Sequence, residues 1–290
     1  KYVQRVLSFL NHSNLKPLKI VVNSGNGAAG PTFDAIADEL GRIGSPLEFV
    51  PVHHEPDHTF PNGIPNPLLP ENHAATGAVV KREGADFGVA FDGYFDRCFL
   101  FDAAGTFVEG EYVVALLARA ALAQNPGQSI IHDPRVTGAI RAAIIGAGGV
   151  PTQSKTGHAY VKDALRATSG PYGGEMSGHH YFRDFFYCDS GMLPWMLIAQ
   201  HLNQSGQTLA EAVTDAYRRA ETVVFELDLA NLDPESISTA IASTGLLSQG
   251  SLAQQFNPED WLKANELARS MNIALDPLAG LKPWLAAMTI

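Results

Sequence analysis

Apolar positions along this chain alternate between helical and strand-like spacing. In residues 1–10, Val3, Val6, Leu7 and Leu10 share one helical face. An apolar run at 19–23 predicts a strand that leads into Ser24-Gly25-Asn26-Gly27-Ala28-Ala29-Gly30. The next helix opens at Pro31, a residue suited to the first helical position, and carries Phe33, Ile36, Leu40 and Ile43 on one face. Residues 71–81 predict a helix and Phe87-Gly88-Val89-Ala90-Phe91 a buried strand. From Gly110 a similar order returns. A strongly apolar helix spans 111–123, a strand 129–132, a helix 137–145, a strand 150–153 and a helix 159–166. The two runs share no sequence period, yet their common order predicts a repeated α/β architecture. Beyond about 209 the character changes, to a helix at 213–221, a strand at 222–229, and acidic, helix-prone sequence up to Ile290.

Composition narrows the function classes. The 290 residues are 46% hydrophobic with a formal net charge of −10, so substantial cores are expected and a general nucleic-acid-binding surface is not. No apolar run approaches the ~20 residues of a membrane span, and no secretory leader pattern is visible. Two cysteines, Cys98 and Cys188, suit a reducing, cytoplasmic setting rather than a disulfide framework. Beginning at Lys1 without a methionine, the sequence reads as a piece of a longer protein.

Four stretches carry candidate chemistry. Phe91-Asp92-Gly93-Tyr94-Phe95-Asp96-Arg97-Cys98 follows the buried strand, where open α/β sheets place ligand sites. Two carboxylates there suit a hard cation such as Mg²⁺, and Arg97 can fork onto a phosphate or lock a carboxylate. A solvated turn with a structural Asp–Arg pair explains the same residues equally well. Gly25, Gly27 and Gly30 make a G-x-G-x-x-G, with Glu48 about where a dinucleotide fold puts its ribose carboxylate. Glycines also serve any tight strand-to-helix turn. His53-His54-Glu55-Pro56-Asp57-His58 is rich in potential metal ligands, but its flanking prolines favour an extended structural loop over zinc. Finally, Gly173-Gly174-Glu175-Met176-Ser177-Gly178-His179 sets a carboxylate, a hydroxyl and an imidazole on a glycine-kinked loop. Together these can bracket sugar hydroxyls.

The segment from Gly84 to Asp102 resembles the metal loop of the phosphohexomutases, nearest to bacterial phosphomannomutases, whose loop reads D-G-D-x-D-R. Asp92, Asp96 and Arg97 match; Tyr94 stands in place of the middle aspartate. The G-E-M-S-G-H run matches the family's sugar-recognition loop. The following His180-Tyr181-Phe182-Arg183-Asp184 and Cys188-Asp189-Ser190-Gly191 extend the likeness, which covers residues 1–212. It implies two consecutive mixed-sheet α/β domains, at 1–107 and 108–212, followed by a smaller, mostly helical segment at 213–290. The implied activity is an isomerase, an intramolecular phosphotransferase that interconverts hexose 6-phosphate and hexose 1-phosphate of mannose or glucose. By the same resemblance Asp92 and Asp96 would ligate Mg²⁺, more weakly for want of the aspartate that Tyr94 replaces. Arg97 would orient a phosphorylated nucleophile. Arg135 stands where the family has a basic residue proposed for acid/base work, although an arginine scarcely deprotonates. Gly157 and His158 match the T-G-H turn near the transferring phosphate, and Glu175, Ser177 and His179 would bind the sugar.

Residues 1–290 contain neither a T-A-S-H-N-P-like serine loop nor an R-x-S-N-T-E-P-like phosphate clamp. Val223-Val224-Phe225-Glu226-Leu227-Asp228 and Leu281-Lys282-Pro283-Trp284 resemble the interior of the TraB/GumN family, although its G-x-x-H motif is absent. Glu226 is the one candidate site residue there. The competing expectation to a mutase is a non-catalytic sugar-phosphate-binding relic or a rearranged fusion protein.

Overall fold

The computed structural model describes residues 1–12, 15–135 and 138–225. The chain divides into a unit Lys1–Arg219 and a unit Ala220–Ile290. The first unit holds two five-stranded sheets.

A short helix α1 (Tyr2–Leu7) precedes the first sheet, which has the order β2-β1-β3-β4-β5. Strand β1 (Leu18–Asn23) pairs in parallel with β2 (Leu47–Val52) and β3 (Phe87–Phe91). Antiparallel β4 (Cys98–Asp102) and β5 (Phe107–Val108) complete the sheet. The crossovers are α2 (Ala29–Arg42) and α3 (His73–Glu83), the latter entered through a 3₁₀ turn at Pro70–Asn72. The second sheet has the order β10-β9-β8-β6-β7. Here β6 (Ser129–His132) pairs in parallel with β7 (Val150–Gln153) and β8 (Tyr172–Gly174), and β9 (His180–Phe182) and β10 (Cys188–Asp189) are antiparallel. Its helices are α4 (Gly110–Gln124), which leads in, and the crossovers α5 (Gly138–Gly146) and α6 (His158–Thr168).

The two sheets therefore share one plan, three parallel strands followed by two antiparallel ones. The β3–β4 connection that carries Asp92 to Arg97 is the topological equivalent of the β8–β9 connection that carries Glu175 to His179. Both leave the carboxyl end of a central parallel strand, where backbone groups and ligands meet.

Packing joins the two halves. Helix α4 is apolar nearly all round, and Val113, Val114, Ala115, Leu116, Leu117 and Ala118 are all buried, as expected of a helix packed on most of its faces. Helix α7 (Met192–Ser205) places the fully buried Trp195 against Phe33 of α2 and Phe49 of β2, with ring centroids 5.6 and 5.8 Å away. One apolar cluster thus runs from Ile20 and Val22 through α4 to Ile130 and Tyr172.

Helix boundaries depart from the sequence expectation in instructive ways. Helix α2 begins at Ala29, before Pro31; the first four N–H groups of a helix have no intrahelical partner, so the proline costs it no bond. The strand expected at 222–229 is contradicted over its first half. Helix α8 (Leu209–Phe225) continues through Thr222, Val223, Val224 and Phe225, because propagating an existing helix outweighs the modest β preference of these side chains. Residues 226–229, Glu226 included, lie outside the described residues, as does the rest of the segment expected to be helical.

Candidate functional site

The loop after β3 is built around Asp92. Its carboxylate is buried; Oδ1 accepts the Arg97 backbone N–H at 3.1 Å and Oδ2 accepts Arg97 Nη2 at 3.2 Å. Asp92 thereby closes its own loop and fixes the guanidinium. Asp96 is half-buried, and its Oδ1 is a shielded oxygen with no hydrogen-bond partner. Burial, with the Asp92 carboxylate beside it, raises the Asp96 pKa. Tyr94 projects into solvent at 84% exposure.

The loop after β8 is tied down by hydrogen bonds to groups on separate elements. Glu175 is buried; its Oε1 accepts the Gly157 N–H at 2.9 Å and its Oε2 accepts the Tyr181 hydroxyl at 2.7 Å. Burial and the Glu175 carboxylate push the Tyr181 hydroxyl pKa far up, so it remains a donor. Glu175 therefore fixes the turn that starts α6, at Gly157 and the exposed His158. Buried Asp133 does the same on the other side. It accepts the Arg135 N–H at 2.8 Å, Arg135 Nη2 at 2.6 Å and the Met176 N–H at 3.0 Å, drawing Arg135 to the edge of the sugar loop. Ser177 is half-buried on that loop. His180, next in sequence, is a different kind of group: it is fully buried against the Tyr172 hydroxyl at 2.7 Å, and burial takes its pKa down to about 3.

The two equivalent loops meet. Arg97 and His179 form an isolated antiparallel bridge, and the Cys98 N–H donates to the Gly178 carbonyl at 3.0 Å. His179 Nδ1 then lies 3.1 Å from Asp189 Oδ2 and 3.9 Å from Asp96 Oδ2. Asp96, His179 and Asp189 offer ligand atoms all within 4.8 Å of one another, the one such group among the described residues. Asp92 stands outside that group, its carboxylate turned to Arg97. Asp189 also receives Lys162 Nζ at 2.9 Å. Burial alone would raise its pKa, but the His179 hydrogen bond and the Lys162 ammonium outweigh this and hold it well below the usual carboxylate range. Asp189, Lys162, Tyr181 and Asp133 were not among the candidate site residues of the sequence. They lie on separate elements, and only the fold shows that their partners are Glu175, Arg135 and His179.

The glycine-rich loop after β1 serves this assembly. A Cβ on Gly27 would lie 2.7 Å from the Gly93 carbonyl oxygen, and the Ala28 N–H donates to that same oxygen at 3.1 Å. The surface a dinucleotide pyrophosphate would approach is thus occupied by the Asp92–Arg97 loop, and Glu48 sits in β2 opposite Lys19. In the histidine-rich stretch, His54 spans Asp34 at 2.8 Å and Ser24 at 3.4 Å, a tether between α2 and the loop after β1.

Two sequence models of a single family cover this unit. Phosphoglucomutase/phosphomannomutase alpha/beta/alpha domain II matches residues 1–105 and domain III matches residues 109–220. This chain belongs to the phosphoglucomutase/phosphomannomutase family. A phosphomannomutase of Salmonella montevideo is 57% identical over 214 residues, which is 74% of this chain and 47% of the relative. The chain thus spans about half the length of the curated relatives it matches. A solved phosphoglucomutase/phosphomannomutase family protein from Burkholderia thailandensis superposes with a TM-score of 0.66 at 34% identity, over 74% of this chain and 45% of that one. The fold extends to the N-acetylphosphoglucosamine mutase of Aspergillus fumigatus, solved with GlcNAc-6P and magnesium, at a TM-score of 0.54 and 15% identity, over 73% of this chain and 51% of that one. A third model, of the TraB/PrgY/gumN family, matches residues 199–290.

Proposed function

We propose that this chain carries the metal-binding and sugar-recognition parts of a phosphomannomutase/phosphoglucomutase, with residues 1–107 and 108–212 as its two working domains. The observation that carries the proposal is the meeting of the two equivalent loops. It sets Asp96 and the Arg97–Asp92 pair beside His179 and Asp189, so cation and sugar phosphate would share one surface. The reaction is the interconversion of hexose 6-phosphate and hexose 1-phosphate.

The residues fit a hard cation in part. Asp96 Oδ1 is shielded yet unpartnered, and Asp92 uses only two of its carboxylate's roughly four acceptor positions. Asp92 and Asp96 would hold Mg²⁺, which supplies charge neutralisation at the transferring phosphoryl group. Arg97, held at fixed angle by Asp92, would present its remaining N–H groups to the phosphorylated nucleophile. Arg135, leaning on Asp133, would contribute positive charge rather than move a proton. His158 and the Gly157 turn would face the phosphate, and Ser177 and His179 the sugar hydroxyls. Glu175 would act mainly by holding Gly157 and Tyr181. The phosphorylated nucleophile would come from outside residues 1–290.

Adding mannose 1-phosphate to the ¹⁵N-labelled protein tests this. Shifts concentrated at Gly157, Ser177 and His179, and lessened by His179→Ala, are expected. Shifts confined to other regions would refute the site. The exposed Tyr94 favours a second reading, a sugar-phosphate-binding relic, which would keep these shifts without turnover.

A further inference from the structure

The contacts of His179 reach beyond substrate recognition. Its Nδ1 faces Asp189 Oδ2, and no hydrogen bond reaches its Nε2 among the described residues. The Asp189 side chain is only 15% exposed and its other oxygen is taken by Lys162 at 2.9 Å. The Lys162 ammonium also lies 5.6 Å from the centre of the Tyr181 ring, whose other neighbour is the stacked His179 ring at 6.2 Å. Tyr181 is itself anchored through Glu175 to the Gly157 N–H. Lys162 comes from α6, His179 from the β8–β9 loop and Asp189 from β10, so three elements converge on one imidazole.

We infer that Asp189, aimed by Lys162, is a positioning residue that fixes His179 as the Nδ1–H tautomer and presents the Nε2 lone pair to the ligand. An ionised carboxylate only accepts hydrogen bonds, so Nδ1 must carry the proton. The bare Nε2 then accepts from a sugar hydroxyl. Lys162 and Asp96 are the other charged groups facing this pair. Lys162 keeps Asp189 ionised and oriented; Asp96, at 3.9 Å and on the same side of the ring, favours the same tautomer. The identity of the ligand rests on the function proposed above; the tautomer does not.

The arrangement makes an unusual prediction for Asp189→Asn. Lys162 has donors only, so it must take the amide oxygen, which leaves the amide NH₂ facing His179 Nδ1. Nδ1 must then accept, and the proton moves to Nε2. Removing the lysine as well, in Asp189→Asn/Lys162→Met, lets the amide turn round and restores Nδ1–H. Long-range ¹H–¹⁵N spectra of the ligand-free protein, recorded at a pH where the ring is neutral, read the proton position directly. Expected are Nδ1–H in the parent, Nε2–H in the single variant and Nδ1–H again in the double variant. A parent with Nε2 protonated, or a single variant with no change, overturns the inference. A titration with mannose 1-phosphate accompanies the spectra. Binding about tenfold weaker in Asp189→Asn, the worth of one hydrogen bond, supports the ligand-facing role. A tautomer switch with unchanged binding overturns that role. If the parent itself does not bind, the failure lies with the proposed function, and the spectra still decide the tautomer.

Discussion

At the scale of single residues, Tyr94 and the buried histidines make the sharpest claims. The aromatic ring of Tyr94 is turned to solvent at a loop position where a third carboxylate would give a magnesium ion another hard oxygen. Tyr94→Asp should therefore tighten Mg²⁺ binding by at least about tenfold, since even outer-shell changes at metal sites have effects of that size. Calorimetric titration of both proteins checks this, and equal affinities would remove the argument. His132 makes a claim about stability. Burial lowers its pKa, against the smaller opposing effect of the Asp133 carbonyl that meets its Nδ1 at 2.9 Å. Its folded pKa thus lies below its unfolded value of about 6.5, so the unfolded chain binds more protons beneath that pH. The stability this neutral histidine contributes is complete above that range and is lost as pH falls. His201 in α7, also lowered by burial, acts in the same direction. Urea midpoints should fall between about pH 7.5 and 5.5, and His132→Asn should flatten that fall. Parallel curves for the two proteins would show that His132 is not held neutral.

At the scale of elements, the site depends on how closely two loops and the start of α7 approach. Gly191 precedes α7, and its N–H donates to the Phe95 carbonyl at 3.1 Å. A Cβ there would lie 2.6 Å from the Phe95 oxygen and 2.7 Å from the Arg97 oxygen, both of them backbone atoms. Gly191→Ala should thus push the metal loop away from the β10–α7 turn. The expected cost is about 1–3 kcal/mol of stability, the usual price of overpacking a tight site. The Cys98 and His179 amide signals should move with it, because they report the bridge between the loops. Loss of stability without movement at those amides would mean that the strain is absorbed elsewhere.

At the scale of the whole molecule, the two sheets are variants of one unit whose equivalent loops face each other. That symmetry brings the two loops together on one surface, and residues 1–290 hold no counterpart of the T-A-S-H-N-P-like serine loop. The remaining groups can position and polarise a phosphoryl group without accepting one. The 290-residue polypeptide should therefore show no conversion of mannose 1-phosphate to mannose 6-phosphate above background, even with Mg²⁺ and a hexose bisphosphate. A coupled assay decides this. Turnover that disappears in Asp96→Ala would mean that a group in this chain takes up the phosphate, and would end the relic reading.

Local pattern alone marked the helices up to about residue 168 and the strands β1, β3, β6 and β7, because 3.6-residue and continuous apolar periods survive without tertiary context, but it passed over β2, β4 and β5. It also marked both chemical loops, since unusual polar clusters at strand ends stand out against apolar neighbours. Short β8, β9 and β10 escaped it; strands of two or three residues, such as Tyr172–Gly174, carry too few positions to show a period. At Thr222 to Phe225 β-branched propensity pointed to a strand, and a helix already in progress overrode it. What each polar residue does was decided only in three dimensions. Glu175 reads as a sugar ligand in the sequence, and only the fold adds that its two oxygens hold Gly157 and Tyr181. Asp92 and Asp96 read as one metal pair, and only the fold adds that Asp92 is also held by Arg97 and that Asp96 stands beside His179 and Asp189. Hydrogen bonding and ionisation depend on distances of a few ångströms, and between residues far apart in the chain those distances are set by packing.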